Sequence, residues 1–228
     1  MPGAPGLSIV LPVLNEAPGI VAALHALAPL RRGGAEVVVV DGGSTDRSTD
    51  LAEALADRVL VAPRGRASQM NAGAAVARGD VLLFLHADSR LPAGAAAAIA
   101  RALAGGARWG RFDVTIAGRP RILRVVAAMM NLRSRLTGIA TGDQGIFVER
   151  ALFAAAGGYA QIPLMEDIAL SKSLKRRGGR PACLRERITT SGRRWEAHGP
   201  WRTIVTMWRL RAAYALGADP ARLAREYR

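Results

Sequence analysis

The sequence predicts an α/β protein with a mostly parallel sheet flanked by helices. Three observations support this prediction. Short apolar runs alternate with helical segments through the first half, which is typical of βαβ units. Residues 81–85 are apolar at every position, as expected of a strand covered on both faces. Polar residues follow several of the strands, at the edge where open α/β sheets bind ligands.

The elements of the first half follow one another in regular order. Pro18 is compatible with the first turn of the first helix, and Ser44, Thr45 and Asp46 are expected to cap the second. The predicted strands are residues 7–13, 36–40, 58–62 and 81–85. The predicted helices are residues 16–30, 46–56, 67–77 and 93–104.

The second half is less regular and is expected to add a mixed region to the sheet. Residues 109–116 alternate between apolar and polar and predict an antiparallel strand. Residues 121–136 predict an amphipathic helix with Arg121, Arg124, Asn131 and Arg135 on one stripe. A strand at 145–148 and helices at 165–177 and 201–216 follow. Because no linker divides the halves, we expect one domain over residues 1–228.

The net charge of +14 is concentrated in the second half of the chain. Residues 1–114 hold 11 basic and 10 acidic side chains, whereas residues 115–228 hold 21 and 8. This basic half predicts an anionic partner, and charge alone leaves phosphates, nucleic acid and a lipid surface open. The single cysteine, Cys183, and the absence of a leader-like or membrane-spanning apolar run predict a cytoplasmic protein.

Acidic or amide side chains follow three of the predicted strands. Asn15 and Glu16 follow the first, Asp41 the second, and Asp88 the fourth. A carboxylate such as Asp88 at the ligand-binding edge is suited to hold a metal ion against a phosphate. Each segment also has a structural interpretation as a turn or helix start, but their convergence on one edge favours a nucleotide site. Neither a dinucleotide glycine fingerprint nor a P-loop is present, which argues against those two classes.

Five segments together resemble the motifs of family 2 glycosyltransferases, which have the Rossmann-like GT-A fold. The segments are residues 8–16, 37–46 and 66–73, His86-Ala87-Asp88, and Met165-Glu166-Asp167. His86 stands where the family's metal motif usually has its first aspartate, while Asp88 keeps the second. Residues 110–113, 131–138, 142–144 and 193–196 are further similar to a compact bacterial subgroup of transferases without an assigned acceptor.

The resemblance implies a metal-dependent, inverting transfer of a sugar from a nucleotide diphosphate donor, with UDP as the nucleotide expected from family frequency. Residues 1–114 would bind the donor and residues 115–228 the acceptor. The implied general base is Asp167, with Glu166 beside it, and the implied ligands of Mg²⁺ or Mn²⁺ are Asp88 and His198. The implied donor-binding residues are Pro12, Asn15, Glu16, Asp41, Arg66, His86, Asp143 and Arg194.

Two other functions remain as alternatives. A nucleotidyltransferase on a similar sheet would usually carry a basic, glycine-rich loop after its first strand, and residues 12–16 have none. A nucleic-acid-binding module would use the basic half, but aromatic residues make up only 5% of the chain and no such motif is present, so we expect no nucleic-acid partner.

The acceptor is expected to be lipid-linked or anionic, since many members of the resembled family act on lipid phosphates. The basic helix at 121–136 has the pattern of an interfacial helix, which predicts an anionic membrane surface as a partner. A core helix with a solvated arginine stripe explains the pattern equally well. The expected location is therefore the cytoplasm, with peripheral binding to the inner face of the membrane as one option.

Overall fold

A computed structural model of the chain describes residues 6–227, apart from the side chain of His198. The strands are β1 (Leu7–Val13), β2 (Glu36–Asp41), β3 (Arg58–Val61), β4 (Val81–Phe84), β5 (Trp109–Ala117), β6 (Ile146–Glu149) and β7 (Ala182–Ser191). The helices are α1 (Ala17–Arg32), α2 (Ser48–Glu53), α3 (Arg66–Val76), α4 (Ala95–Ala104), α5 (Ile122–Thr137), α6 (Arg150–Ala155), α7 (Glu166–Gly178), α8 (Arg193–His198), α9 (Pro200–Ala215) and α10 (Pro220–Tyr227). A short 3₁₀ turn spans Gly142–Gln144.

The seven strands form one sheet in the order β3-β2-β1-β4-β6-β5-β7. The first four are parallel to one another, β6 runs antiparallel between β4 and β5, and β7 pairs in parallel with β5. The predicted mostly parallel sheet with a mixed second region is confirmed. Strand β7 was not predicted, because its central residues are charged and half-exposed at the sheet edge and show no apolar pattern.

Both faces of the sheet are covered, as the apolar strands require. Ile9, Leu11 and Val39 belong to the core on one face, whereas Val10 and Val38 belong to the core on the other. This alternation explains why β1, β2 and β4 are apolar at nearly every position: each successive side chain enters one of two buried layers. The carboxyl ends of these strands are thereby fixed at one edge of the sheet.

One local prediction in the first half needs correction: the second helix spans only Ser48–Glu53 and is shorter than expected. Of the three residues expected to cap it, Asp46 does so, since its Oδ1 accepts a hydrogen bond of 2.9 Å from the N–H of Ser48. Ser44 and Asp46 also accept hydrogen bonds from the backbone N–H groups of Asn15 and Ala17, at 2.8 and 3.1 Å. The polar cluster therefore joins two strand ends across the sheet edge, in addition to Asp46 turning toward Ser48.

The side of α5 that faces the core is also different from the prediction. Asn131, expected on a solvated stripe with three arginines, is buried and forms two hydrogen bonds with the backbone of Val114 on β5. Apolar side chains are instead exposed along the opposite side of the helix; these are Val125, Met129, Leu132 and Leu136. The sequence pattern did not reveal this burial because the side chain of an asparagine can form its hydrogen bonds with the backbone of a neighbouring strand.

Helices α9 and α10 pack around the segment that precedes α7. Leu164, Met165 and Ile168 form a small apolar core with Leu210 of α9 and Leu223 of α10. This core holds the beginning of α7 at the edge of the sheet. Of the helices within residues 6–227, none is long and apolar enough to cross a membrane.

Candidate functional site

A cavity of about 630 Å³ opens at the carboxyl ends of the parallel strands. This size lies within the range typical of small-molecule sites. Its walls come from both halves of the chain, from Pro12 near the end of β1 to Tyr227 on α10. Most of the side chains predicted to bind a donor, hold a metal or accept a proton meet in this cavity; they are Pro12, Glu16, Arg66, His86, Asp88, Asp143, Glu166, Asp167 and Arg194.

Asp88 lies on the cavity wall beside a basic side chain that the sequence did not single out. The carboxylate of Asp88 is 30% exposed, and its Oδ2 lies 3.9 Å from Nη2 of Arg193. The same Nη2 lies 3.4 Å from Oε2 of Glu16. Arg193 thus connects the ends of β1 and β4, and it partly offsets two carboxylates that face the cavity.

His86 and Asp143 face each other across the cavity floor. Nδ1 of His86 lies 3.3 Å from Oδ1 of Asp143, which is half-exposed to the cavity. Burial opposes ionisation of Asp143, but the hydrogen bond and charge of His86 and the charges of Arg66 and Arg133 lower the pKa of its carboxyl below the usual value. A Cβ atom at Gly142 would lie 2.5 Å from Nε2 of His86, so only glycine allows this close approach.

The acid pair begins helix α7 after a backbone turn at Met165. Met165 has a positive φ of 68°, an uncommon conformation for a residue with a side chain, and it is held there by the apolar core around it. Asp167 accepts hydrogen bonds from the backbone N–H groups of Gly142 and Ile168, at 3.0 and 2.7 Å. Glu166 is buried beside it. Burial and the charge of Asp167 raise the pKa of the Glu166 carboxyl, although Arg66 opposes this.

Arg66 is the main cation facing the acid pair. Its Nη1 lies 4.0 Å from Oε1 of Glu166. Burial lowers the pKa of the Arg66 guanidinium, but the charges of Glu166, Asp143 and Asp167 outweigh this and raise it. The arginine at the beginning of α3 therefore stays positively charged between the strand ends and α7, where an anionic ligand group would be stabilised.

Arg194 is held in place by α10, the last helix of the described chain. Its guanidinium stacks on the ring of Tyr227 at 3.6 Å from the centroid, and its Nη2 donates to the carbonyl of Tyr227 at 2.6 Å. Stacking plus a hydrogen bond holds this side chain in one orientation at the cavity wall. Tyr227 itself was not predicted as a site residue, because α10 carries no motif.

Three predicted site residues are not brought to the cavity wall or cannot be placed. Asp41 is buried, and its carboxylate accepts hydrogen bonds from the backbone of Gly43 and Ser44 in its own turn. Asn15 is exposed, and its Oδ1 accepts from the N–H of Thr45. The side chain of His198 lies outside the described residues. Nucleotide binding by Asn15 and Asp41 and metal binding by His198 therefore stay predictions.

The cavity also contains basic residues that the sequence interpretation missed. Arg64, Arg133, Arg193 and Arg211 all line it. Arg193 precedes the recognised Arg194, and Arg133 lies inside a segment already noted at 131–138, so both could have been considered. Nothing in the sequence around Arg211 distinguishes it from the other arginines of the basic half.

The donor set suits a hard divalent cation held jointly with a ligand. Among the residues whose side chains are described, no group of three or more His, Cys, Asp or Glu is arranged to hold a metal by itself. Asp88 nevertheless offers a partly exposed carboxylate to the cavity. Mg²⁺ is commonly bound by one or two carboxylates together with substrate phosphates and water. The cavity therefore fits such an ion if the remaining ligands come from a phosphate substrate.

Sequence comparisons identify a family and several partial relatives. Residues 8–146 match the profile of the family described as Glycosyl transferase family 2. A PGL/p-HBAD biosynthesis glycosyltransferase from Mycobacterium bovis is 40% identical over 95 residues, which are 39% of this chain and 37% of that protein. An uncharacterized glycosyltransferase from Nostoc sp. is 32% identical over 89 residues, which are 36% of this chain and 28% of that protein. These matches span well under half of each relative's length.

Solved structures share the fold. Staphylococcus aureus TarS, also crystallised with UDP-GlcNAc, superposes with a TM-score of 0.67 at 18% identity over 82% of this chain, and this chain covers 60% of the unliganded TarS chain. The mannosyltransferase PcManGT from Pyrobaculum calidifontis, in complex with GDP-Man and Mn²⁺, gives 0.66 at 23% identity, over 93% of this chain and 62% of its own. At these identities the likeness establishes the GT-A architecture.

Proposed function

The chain belongs to glycosyl transferase family 2, and on that premise we propose that it transfers a sugar from a nucleotide diphosphate donor to a hydroxyl acceptor with inversion at the anomeric carbon. The observation that carries the proposal is the meeting of Asp88, Arg66 and the Glu166–Asp167 pair in one cavity at the sheet edge. Each is one of the residues at which the sequence resembles the family, and together they provide for a leaving diphosphate and an attacking hydroxyl.

The cations of the cavity would stabilise the leaving group. As the glycosidic bond breaks, negative charge grows on the diphosphate oxygens. Arg66 and Arg193 lie on the cavity wall with their guanidinium groups beside the acids of the site, where they can hydrogen-bond these oxygens. Asp88 is the residue that would hold Mg²⁺ or Mn²⁺, which when bound supplies Lewis-acid stabilisation of the same charge. His198 is proposed as a second ligand on the resemblance alone.

Asp167 is the proposed general base. The acceptor hydroxyl would lose its proton to the Asp167 carboxylate as its oxygen forms the bond to the anomeric carbon on the face opposite the leaving group. The two backbone N–H groups that Asp167 binds fix its orientation toward the cavity. Glu166 is buried, and its Oε1 lies 4.0 Å from Nη1 of Arg66. It is therefore better suited to positioning neighbouring groups than to accepting the proton. One base without a separate nucleophile is consistent with a single displacement.

A UDP-sugar is the proposed donor. The support comes from structures of the same fold: TarS was crystallised with UDP-GlcNAc and a glucosyl-3-phosphoglycerate synthase from Mycobacterium tuberculosis with UDP and Mn²⁺. PcManGT was crystallised with GDP-Man, so a GDP-sugar is the competing donor class. The family membership favours sugar transfer over nucleotidyl transfer and over a non-enzymatic nucleic-acid-binding role.

Peripheral binding to an anionic membrane is the proposed cellular setting. Helices α5 and α9 both line the cavity and both expose apolar side chains; on α9 these are Trp201, Val205 and Trp208. Tryptophan is favoured at membrane interfaces, and exposed arginines such as Arg124 and Arg202 lie on the same helices. A bilayer with anionic headgroups matches this combination of apolar and positive surface, and it would present a lipid-linked acceptor at the cavity mouth.

The proposed function is tested by a donor panel read by thermal shift. A nucleotide-sugar that binds only the folded protein raises the melting temperature. We expect UDP-sugars with Mn²⁺ to raise it, and the donor that does so to release nucleoside diphosphate. Asp88→Asn should remove the Mn²⁺-dependent part of the shift, whereas Asp80→Asn, at the opposite end of β4, should not. A protein that binds no nucleotide-sugar, or that releases pyrophosphate from an NTP, would contradict the proposal.

A further inference from the structure

Arg133 is a partly buried cation of the cavity, and two of its guanidinium nitrogens form no hydrogen bond within the described part of the chain. It extends from α5 into the cavity wall. Within the described part of the chain, its Nε and Nη2 atoms are buried and have no hydrogen-bond acceptor. The buried guanidinium of Arg111, by contrast, is paired: it donates to Asp113, Ser134 and the carbonyl of Asn131. Leaving donors buried and unpaired is costly, so such a group is often explained by a ligand.

A second arginine of the second half lines the same cavity. Arg211 extends from α9, and its positive charge repels that of Arg133. Burial, then the neighbouring charge of Arg211, lowers the pKa of the Arg133 guanidinium to about 10, and burial lowers that of Arg211 as well. No carboxylate among the described residues lies within 4.0 Å of either guanidinium. Two arginines that line one cavity without a close carboxylate favour the binding of an anion there.

The position of the two arginines separates them from the donor side. Arg66 lies near Glu166 at the beginning of α7, and Arg193 lies near Glu16 and Asp88 at the strand ends. Arg133 and Arg211 instead come from two helices of the second half, and Asp167 is the acid whose charge acts on both. Because Asp167 is the proposed general base, an anion bound by these two arginines would accompany the acceptor and not the donor.

We propose that Arg133 and Arg211 form a subsite for a phosphate group carried by the acceptor. This inference rests on the proposed sugar transfer and names the acceptor's chemical class. Guanidinium groups match phosphate oxygens with paired hydrogen bonds. Apolar side chains of the same two helices, Met130 and Met207 among them, line the cavity next to this subsite and would contact the rest of the acceptor. The phosphate can belong to a small soluble molecule or to a lipid headgroup.

The test is calorimetric titration of inorganic phosphate into the protein, with and without saturating UDP and Mn²⁺. We expect phosphate to bind in both conditions, and Arg133→Met or Arg211→Met to weaken it at least tenfold while leaving UDP affinity unchanged. Arg124→Met is the matched control, since Arg124 is exposed on the same helix. Arg133→Met should also keep or raise the melting temperature, because it removes an unpaired buried charge; a purely structural role would lower it.

The outcomes distinguish the subsite from the proposed function. Phosphate that is displaced by UDP, or that binds Arg133→Met as it binds the unchanged protein, overturns the subsite. Failure of UDP to bind while phosphate still depends on Arg133 overturns the donor proposal and keeps the anion site. Vesicles of phosphatidylcholine with phosphatidic acid separate the two phosphate sources: Arg133→Met weakens vesicle binding only if a lipid headgroup enters the cavity.

Discussion

The backbone N–H of Gly142 donates a hydrogen bond of 3.0 Å to Oδ2 of Asp167. This bond connects the beginning of α7 to the 3₁₀ turn that carries Asp143, and Gly142 also permits the close approach of His86. One glycine thus sets the relative positions of three site residues that are far apart in the sequence. The arrangement leads to specific expectations for the acids and glycines around it.

Asp167→Asn should abolish most of the catalytic rate. General-base help typically contributes about 10²–10⁴-fold, and the amide cannot accept the acceptor's proton. The oxygen of asparagine can still accept the Gly142 N–H, so donor affinity should be retained. The measurement is the rate of nucleoside diphosphate release alongside the donor dissociation constant. Asp80→Asn serves as the control on an exposed acid; a rate for Asp167→Asn within twofold of the unchanged enzyme would rule out the assigned role.

Two helical glycines should respond oppositely to alanine. A Cβ at Gly73 on α3 would lie 2.4 Å from Cγ1 of Val10, whereas a Cβ at Gly19 on α1 has no neighbour closer than 4.0 Å. Gly73→Ala should therefore lower the free energy of unfolding by about 1–3 kcal/mol through overpacking. Gly19→Ala should raise it by about 0.4–1 kcal/mol because alanine restricts the unfolded chain.

Urea unfolding monitored by circular dichroism measures both glycine variants directly. Because neither glycine has a positive φ, backbone strain does not complicate the comparison. Equal effects of the two substitutions would show that α3 does not pack against β1 as closely as the structure indicates.

Glu166→Gln should stabilise the protein at neutral pH. Burial, then the charge of Asp167, raises the folded-state pKa of Glu166 above its unfolded value, so ionising it costs stability once the pH exceeds the unfolded pKa. Glutamine removes this cost. The gain in melting temperature should be present at pH 7.5 and fade as the pH falls toward about 4, where the wild-type carboxyl is protonated in both states. Exposed Glu53→Gln should show no such pH-dependent gain, and a destabilised Glu166→Gln at pH 7.5 would indicate that the contact with Arg66 dominates.

Membrane binding should depend on the exposed tryptophans of α9. Trp201 and Trp208 are 70% and 68% exposed. The double variant Trp201→Ser/Trp208→Ser should lose most of its recovery with liposomes containing anionic lipid, measured by flotation. Val61→Ser is the matched control, since Val61 is as exposed but lies on strand β3 in the first half. Equal recovery with neutral and anionic liposomes, with no effect of salt, would remove the membrane proposal.

The parallel half of the fold was predictable because its strands are buried on both faces. Residues such as Val38, Val39 and Leu83 each enter one of two apolar layers, and the resulting continuous apolar runs are visible in sequence. Strand β7 was not predictable in this way, since charged residues interrupt it and only Ile188 is an apolar residue fully buried in the core, while backbone pairing with β5 positions the strand. The side of α5 that faces the core could not be predicted either, because the side chain of Asn131 is buried through its hydrogen bonds with the backbone of Val114.

The site was predictable where it follows strand ends and less so where it depends on helices. Asp88 and Glu16 follow buried strands, and the structure brings both beside Arg193. Arg211 and Tyr227 come from helices whose placement depends on tertiary packing, and no local pattern marks them, whereas Arg133 lies in a noted segment but without a signal for a role in the site. Asp41 shows the opposite case: a strand-end acid whose carboxylate is used by its own turn.

The stacking of Arg194 on Tyr227 makes the cavity dependent on α10, the last helix of the described chain. The cavity wall includes both Pro12 and Tyr227, so a fragment that lacks either end of the described chain lacks part of the site. Substitutions far from the cavity that loosen α10 should therefore weaken ligand binding, because they release Arg194 from Tyr227.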